Sequence, residues 1–155
     1  RTTGHSLGGA IAVIMAMYLD NAGYDVDQVI TFGQPKVTNV AGAKAFSDLP
    51  LTRIVTAKDI VPLVPPLSPL QLKNLDIYWH MGVEVILLED NQYALLSGVK
   101  SMMRATEFVS SVPDESNLLA HQMMTYLGLI DDKLNNSQEM PYQVKMSLFG
   151  FSFNQ

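Results

Sequence analysis

The 155-residue sequence contains no cysteine, no cluster of basic residues and no long apolar run. Without cysteine, the chain can form neither a disulfide framework nor a thiolate-ligated metal site. Ten Lys and Arg residues stand against fifteen Asp and Glu, which gives a formal net charge of −5 and argues against a nucleic-acid partner. No segment approaches the roughly 20 apolar residues that are needed to span a bilayer. These absences exclude a disulfide-stapled fold and a basic nucleic-acid-binding surface.

The composition is that of a folded domain with a substantial core. Hydrophobic residues make up 48% of the chain and charged residues 16%, which argues against disorder. The length suits one domain of ordinary size. Because no internal repeat, low-complexity segment or linker interrupts the chain, we predict a single domain over residues 1–155.

Strand and helix patterns alternate along the chain. The predicted strands are Arg1–Thr3, Val26–Phe32, Leu51–Ala57 and Tyr78–Leu88, with Gln92–Leu96 returning as a hairpin. The predicted helices are Leu7–Asn21, Val40–Leu49, Ser97–Ser110 and Leu118–Leu134, and the tail beyond Asn135 has no assignment. This alternation predicts an α/β fold in which helices flank a mostly parallel sheet.

The first predicted helix carries the longest apolar stretch of the chain. Its large apolar residues recur at helical spacing and predict one apolar face: Ile11, Ile14, Met15, Tyr18 and Leu19. We therefore expect this helix to be buried through that face.

Gly4-His5-Ser6-Leu7-Gly8 matches the pattern G-x-S-x-G. In such an elbow the serine lies on a sharp strand-to-helix turn, so that its hydroxyl stands clear of the sheet. The positions two residues before and after it must be glycine-sized because the two backbones nearly touch. The turn also places the Leu7 N–H at a helix start, where it can donate to an oxyanion. The pattern predicts Ser6 as a nucleophile for acyl transfer, and the alternative is a chance match in a glycine-rich turn.

Asp59 is the candidate acid. It follows the strand that ends at Ala57, and open α/β sheets gather their sites at this carboxyl edge. A stretch with Pro62, Pro65, Pro66 and Pro69 follows, which predicts a loop that fixes its position. A role as a turn or helix cap is the alternative and suits the other aspartates better.

Three histidines compete for the role of base. His5 lies inside the elbow, where we expect its side chain to point away from the Ser6 hydroxyl and to pack or form a hydrogen bond. His80 lies among large apolar residues of a strand, whereas His121 follows a polar loop and is predicted to open a helix. Catalytic bases are favoured on loops held by a rigid scaffold, and the chain order serine, acid, histidine suits this chemistry. We therefore favour His121 over His80.

Several stretches in order resemble the class 3, fungal-type lipases of the α/β-hydrolase fold. They are Thr3–Ala10, Thr31–Val37 with Asn39, Arg53–Val55 leading to Asp59–Pro62, Tyr78 with His80, Gly82 and Glu84, and His121 with Tyr126. The resemblance covers roughly Arg1 to Leu129. It implies hydrolysis of carboxylic esters, usually of acylglycerols, with neither metal nor cofactor.

Carried over by position, the resemblance makes Ser6 the nucleophile, Asp59 the residue that orients the base, and His121 the base. Leu7 then supplies one backbone N–H of the oxyanion hole. The family's chains continue upstream of the elbow with strands, a lid helix and a second oxyanion donor, whereas three residues precede Gly4. We therefore expect this chain to be the C-terminal portion of a larger catalytic domain.

The expected partner is a lipid or other ester, met at a lipid–water interface, with no nucleic acid and no transmembrane segment. No signal peptide is visible in the chain, and the resemblance is compatible with secretion. A phospholipase A1, a short-chain or aryl esterase, and a catalytically incomplete fragment remain as alternatives. Five apolar residues beside the prolines are candidates for an acyl-chain groove, with simple packing as an equal alternative: Ile60, Val61, Leu63, Val64 and Leu67.

Overall fold

The computed structural model describes residues 1–106, 113–148 and 151–154. Its strands are β1 (Thr2–His5), β2 (Val29–Phe32), β3 (Thr38–Asn39), β4 (Leu51–Thr56), β5 (Tyr78–Trp79), β6 (Val83–Leu87), β7 (Gln92–Leu96), β8 (Gln138–Glu139), β9 (Lys145–Leu148) and β10 (Phe151–Asn154). Its α-helices are α1 (Leu7–Asn21), α2 (Val40–Ala45), α3 (Pro69–Asn74), α4 (Gly98–Ala105), α5 (Glu115–His121) and α6 (Met123–Asp131). A 3₁₀ helix spans Val61–Leu63.

The main sheet has six strands in the order β1-β2-β4-β6-β7-β8. Strands β1, β2, β4 and β6 run parallel, β7 is antiparallel to β6, and β8 is parallel to β7. Two short antiparallel pairs, β3–β5 and β9–β10, lie outside this sheet. The sheet is mostly parallel, as the alternating pattern predicts, and the carboxyl ends of β1, β2 and β4 lie side by side at one edge.

Helix α1 has the predicted bounds, but the prediction of its buried face is wrong. The residues that pack on the sheet are small: Gly9, Ala10, Ala12, Val13 and Ala16. The large residues at positions 11, 14, 15 and 18 are 48–71% exposed. The elbow causes this reversal because it brings the helix against the sheet, where a Cβ on Gly9 would lie 3.0 Å from the Gly4 carbonyl oxygen.

Two predicted elements are each divided in the structure. The strand over Tyr78–Leu88 becomes β5 and β6, which are separated at Gly82 with a φ of +76°. The helix over Leu118–Leu134 becomes α5 and α6, which are separated at Gln122 with φ −66° and ψ 138°. The third predicted helix, Ser97–Ser110, is present as α4 up to Ala105, and its residues 107–110 lie outside the described residues.

The loop that follows Asp59 contains more regular structure than its prolines predict. Val61–Leu63 forms the 3₁₀ helix, and Pro69 begins α3. Proline is compatible with the first helical position because the N–H there has no intrahelical partner. Leu63 is buried, which favours packing over groove lining at that position.

A buried ionic cluster joins the sheet to α4. Arg53 and Glu84 face each other from neighbouring positions of β4 and β6 and are almost fully buried. The Arg53 guanidinium donates to Ser101 at 2.6 Å, Ser101 donates to Glu84 at 2.9 Å, and Arg104 also donates to Glu84. Buried charges are tolerated only with such partners, so the cluster fixes α4 on the sheet.

Across the described residues, no helix is both long and apolar enough to cross a bilayer.

Candidate active site

Ser6 lies on a strained turn between β1 and α1. Its φ of +56° and ψ of −126° are rarely adopted by a residue with a side chain and cost about 1–3 kcal/mol. The turn is held by the Ser6 N–H, which donates to the Phe32 carbonyl at 2.9 Å. A Cβ on Gly4 would collide with the backbone of Gly8, so glycine is required where strand and helix meet. The turn therefore displays the Ser6 hydroxyl at the carboxyl edge of the sheet.

Ser6, His121 and Asp59 form one hydrogen-bonded row, although 115 and 62 residues separate the two bonded pairs along the chain. The Nε2 atom of His121 lies 2.8 Å from the Ser6 Oγ, and its Nδ1 atom lies 2.9 Å from the Asp59 Oδ2. A carboxylate only accepts hydrogen bonds, so Nδ1 carries the hydrogen and Nε2 accepts from the Ser6 hydroxyl. The Asp59 side chain is 0% exposed and that of His121 is 23% exposed, so solvent reaches the imidazole and not the carboxylate.

Tyr126 is a further partner of Asp59 that sequence reasoning missed. Its hydroxyl donates to the Asp59 Oδ2 at 2.6 Å, while the Val61 N–H donates to Oδ1 at 2.9 Å. Burial, and then the nearby charge of Asp59, raise the pKa of Tyr126, so the hydroxyl keeps its proton and remains a donor. Tyr126 follows His121 across the break between α5 and α6, and the helical periodicity gives no sign of that break.

His121 ends α5, so the prediction that it opens a helix is wrong. The helix begins at Glu115, and Asp114 caps it by accepting from the Asn117 N–H at 3.1 Å. The Asn117 side chain then donates to the carbonyl of Lys58 at 2.8 Å, directly beside Asp59. This bond fixes the helix that carries the imidazole to the segment that carries the carboxylate.

His80 lies outside the row and supports the loop after Asp59. Its Nε2–H donates to the Pro62 carbonyl at 2.6 Å, and burial lowers its pKa well below the ordinary value, so the ring is neutral. Lys36 donates to the carbonyls of Leu63 and Pro65 at 2.9 and 3.0 Å, and burial lowers its pKa to about 8. Two buried side chains thus anchor the turn that orients Asp59.

Leu7, predicted to contribute to the oxyanion hole, is the first residue of α1. Its N–H has no carbonyl partner inside the helix and lies at the positive end of the helix dipole. An oxyanion formed on a carbon bonded to Ser6 would therefore lie next to a donor.

In the part of the chain that the structure describes, no group of three or more His, Asp and Glu side chains could hold a metal ion.

Residues 1–68 match the sequence model of the family described as lipase (class 3). Over this segment the chain is similar to class 3 lipases. The lipase of Rhizomucor miehei is 29% identical over 133 residues, which cover 82% of this chain and 34% of that protein. Phospholipase A1-II 1 of rice (Oryza sativa) is 42% identical over 72 residues, which cover 43% of this chain and 18% of that protein.

A solved structure of MDLA from Penicillium cyclopium superposes with a TM-score of 0.59 at 27% identity, covering 77% of this chain and 44% of that one. The described chain therefore has the α/β-hydrolase fold, as the resemblance implies. It spans about one third of the Rhizomucor lipase and less than half of the Penicillium structure. The segment that matches the class 3 lipase model contains Ser6 and Asp59, and the match to the Rhizomucor lipase is longer than this segment.

Gly33, directly after β2, packs against all three groups around the Asp59 carboxylate. An added Cβ would lie 2.6 Å from the Asp59 Oδ2 and 3.0 Å from both the His121 Nδ1 and the Tyr126 Oη. Its φ is +56°, where a side chain costs about 1–2 kcal/mol. We expect Gly33→Ala to displace the Ser6–His121–Asp59 row and to lower kcat of a reaction that depends on this row by about 100-fold, because a displacement near 1 Å in a reacting group has effects of this size.

Gly98→Ala is the matched control. Gly98 has nearly the same φ, +54°, but no atom lies within 4 Å of an added Cβ. Both variants should lose about 1–2 kcal/mol of unfolding free energy from backbone strain, whereas only Gly33→Ala should lose activity. Equal activity losses in the two variants would show that strain, and not displacement of the row, is responsible.

Proposed function

We propose that the protein carrying this chain is a serine-dependent carboxylic ester hydrolase that acts as a triacylglycerol lipase. What supports the proposal is the hydrogen-bonded row of Ser6, His121 and Asp59 at the carboxyl edge of the sheet. A serine hydroxyl bonded to an imidazole that is itself oriented by a buried carboxylate is the arrangement that activates serine for acyl transfer.

In the proposed reaction, the Ser6 Oγ attacks the ester carbonyl carbon while its proton passes to the Nε2 of His121. The carbonyl oxygen becomes an oxyanion, which accepts a hydrogen bond from the Leu7 N–H. When the carbonyl re-forms, the C–O bond to the alcohol breaks and His121 returns the proton to the departing alcohol. Water then attacks the acyl-enzyme by the same route, giving the free acid and restoring Ser6. Asp59 holds the imidazole in the required tautomer throughout.

The choice of a lipase over other ester hydrolases rests on a relative that aligns with most of the chain. Triacylglycerol is proposed as the substrate because the class 3 lipases that the sequence resembles usually hydrolyse acylglycerols. The Rhizomucor protein, aligned over 82% of this chain, is a lipase. The rice protein, which matches a shorter segment, is a phospholipase A1, so hydrolysis of a phospholipid ester is the second candidate. A short-chain or aryl esterase would use the same row on a soluble ester.

A panel of esters tests this proposal on the complete protein. We expect faster release of fatty acid from emulsified triacylglycerol than from phosphatidylcholine vesicles or soluble nitrophenyl butyrate, with a gain in rate when an interface forms. Enzyme first inactivated with a fluorophosphonate is the control and should release nothing. Faster phospholipid hydrolysis would assign a phospholipase A1, and activity on soluble esters alone would assign an esterase. Absence of hydrolysis across the panel would overturn the proposal.

A further inference from the structure

His5, the residue before the proposed nucleophile, contacts the main chain of the proposed base. Its Nε2 atom lies 2.6 Å from the carbonyl oxygen of His121. A carbonyl only accepts, so His5 donates through Nε2–H. The two imidazole rings also pack with centroids 4.7 Å apart, and the Tyr126 ring meets the His5 ring edge-on at 5.9 Å.

The carbonyl that His5 binds lies at the end of a helix. The last carbonyls of any α-helix lack intrahelical partners and need others. At the end of α5, the Ala120 carbonyl accepts from the Thr56 hydroxyl at 3.0 Å, and the His121 carbonyl accepts from His5. Because Gln122 is extended, the chain turns away directly after His121. Side chains at the ends of β1 and β4 therefore hold the helix end in place.

We infer that His5 is a positioning residue for ester hydrolysis, fixing the main chain of His121 relative to Ser6. This inference rests on the proposed function. His5 and Ser6 are neighbours on one strained turn, and they hold His121 at two points, the carbonyl and the imidazole. Movement of α5 away from the elbow would lengthen both contacts, because both are made by His121.

The matched pair His5→Gln and His5→Met tests this role in the complete protein. Gln and Met have side chains of similar length, but only the Gln amide can donate near the position of the His5 Nε2. We expect His5→Met to lower kcat on nitrophenyl butyrate by about 10- to 100-fold, since a displaced general base loses part of its contribution. KM should stay constant, the rate of fluorophosphonate reaction at Ser6 should fall in parallel, and His5→Gln should recover most of the loss.

His5→Asn provides a third variant should His5→Met fold poorly, because its amide is too short to reach the carbonyl and it should behave as a variant without the donor. Equal kcat in the Gln and Met variants, or a loss confined to KM, would overturn the positioning role. That failure differs from a failure of the proposed function: in the first case the unmodified protein still reacts with fluorophosphonate at Ser6, and in the second it does not.

Discussion

Replacing Ser6 by alanine is expected to lower kcat for ester hydrolysis by at least about 10⁵-fold. The variant lacks the oxygen that attacks the ester in the proposed reaction and that lies 2.8 Å from the His121 Nε2 atom. Because the turn is held by the Ser6 N–H and by glycines, not by the hydroxyl, the fold should survive. The measurement is the initial rate on nitrophenyl butyrate together with the unfolding temperature.

Ser137→Ala is the control for this change, since Ser137 is exposed and lies directly before β8, far along the chain. It should hydrolyse esters as the unmodified protein does. Hydrolysis by Ser6→Ala at a rate near that of the control would show that another group attacks the ester, and the elbow would then be a structural turn only.

Replacing Asp59 by asparagine is expected to lower kcat by about 10⁴-fold. The new amide can turn its NH₂ group towards the Nδ1 atom of His121, which favours the tautomer with hydrogen on Nε2, and that nitrogen can then no longer accept the Ser6 proton. The Val61 N–H favours this orientation because it donates to the Oδ1 position and attracts the amide oxygen there, whereas the Tyr126 hydroxyl, which donates to the same Oδ2 position as His121, opposes it. The measurement is kcat, with KM and the unfolding temperature followed in parallel.

Asp25→Asn, at an exposed aspartate of the loop after α1, is the matched control and should keep full activity. Residues that act as one unit lose activity non-additively, so the double variant of Ser6→Ala with Asp59→Asn should be no slower than Ser6→Ala alone. A loss of kcat in the double variant equal to the product of the two single losses would contradict the view that Ser6 and Asp59 act as one unit.

The elbow could be predicted from sequence because its causes are local. Gly4 lies two residues before Ser6 and is required where strand and helix meet, and α1 begins and ends at the predicted residues. The prediction that the position two residues after Ser6 must also be glycine-sized is wrong, because a Cβ on Gly8 would meet no atom within 4 Å, and Gly9 makes the close approach instead. The orientation of α1 could not be predicted in the same way. Helical periodicity identifies large apolar residues on one side, but the close approach of the backbones favours small side chains against the sheet and leaves the large ones exposed.

The long-range parts of the site were predicted only as candidates. Strand order places the Asp59 loop at the same edge of the sheet as Ser6. The position of His121 depends on the helix break at Gln122, which no residue type in the sequence predicts. The contacts of Tyr126 and His5 follow from that break and were not predicted as specific partners. Gly33 lies in a stretch that resembles the class 3 lipases, but the sequence does not show why glycine is needed there. The need comes from the tertiary structure, because Asp59, His121 and Tyr126 fill the space beside it.

Reaction with a fluorophosphonate, followed by peptide mapping of the complete protein, tests most directly whether Ser6 is an activated nucleophile. A single phosphonyl adduct on Ser6 is predicted, forming rapidly in the unmodified protein and far more slowly in Asp59→Asn. An adduct on a different serine, or none under conditions where the protein is folded, would contradict it.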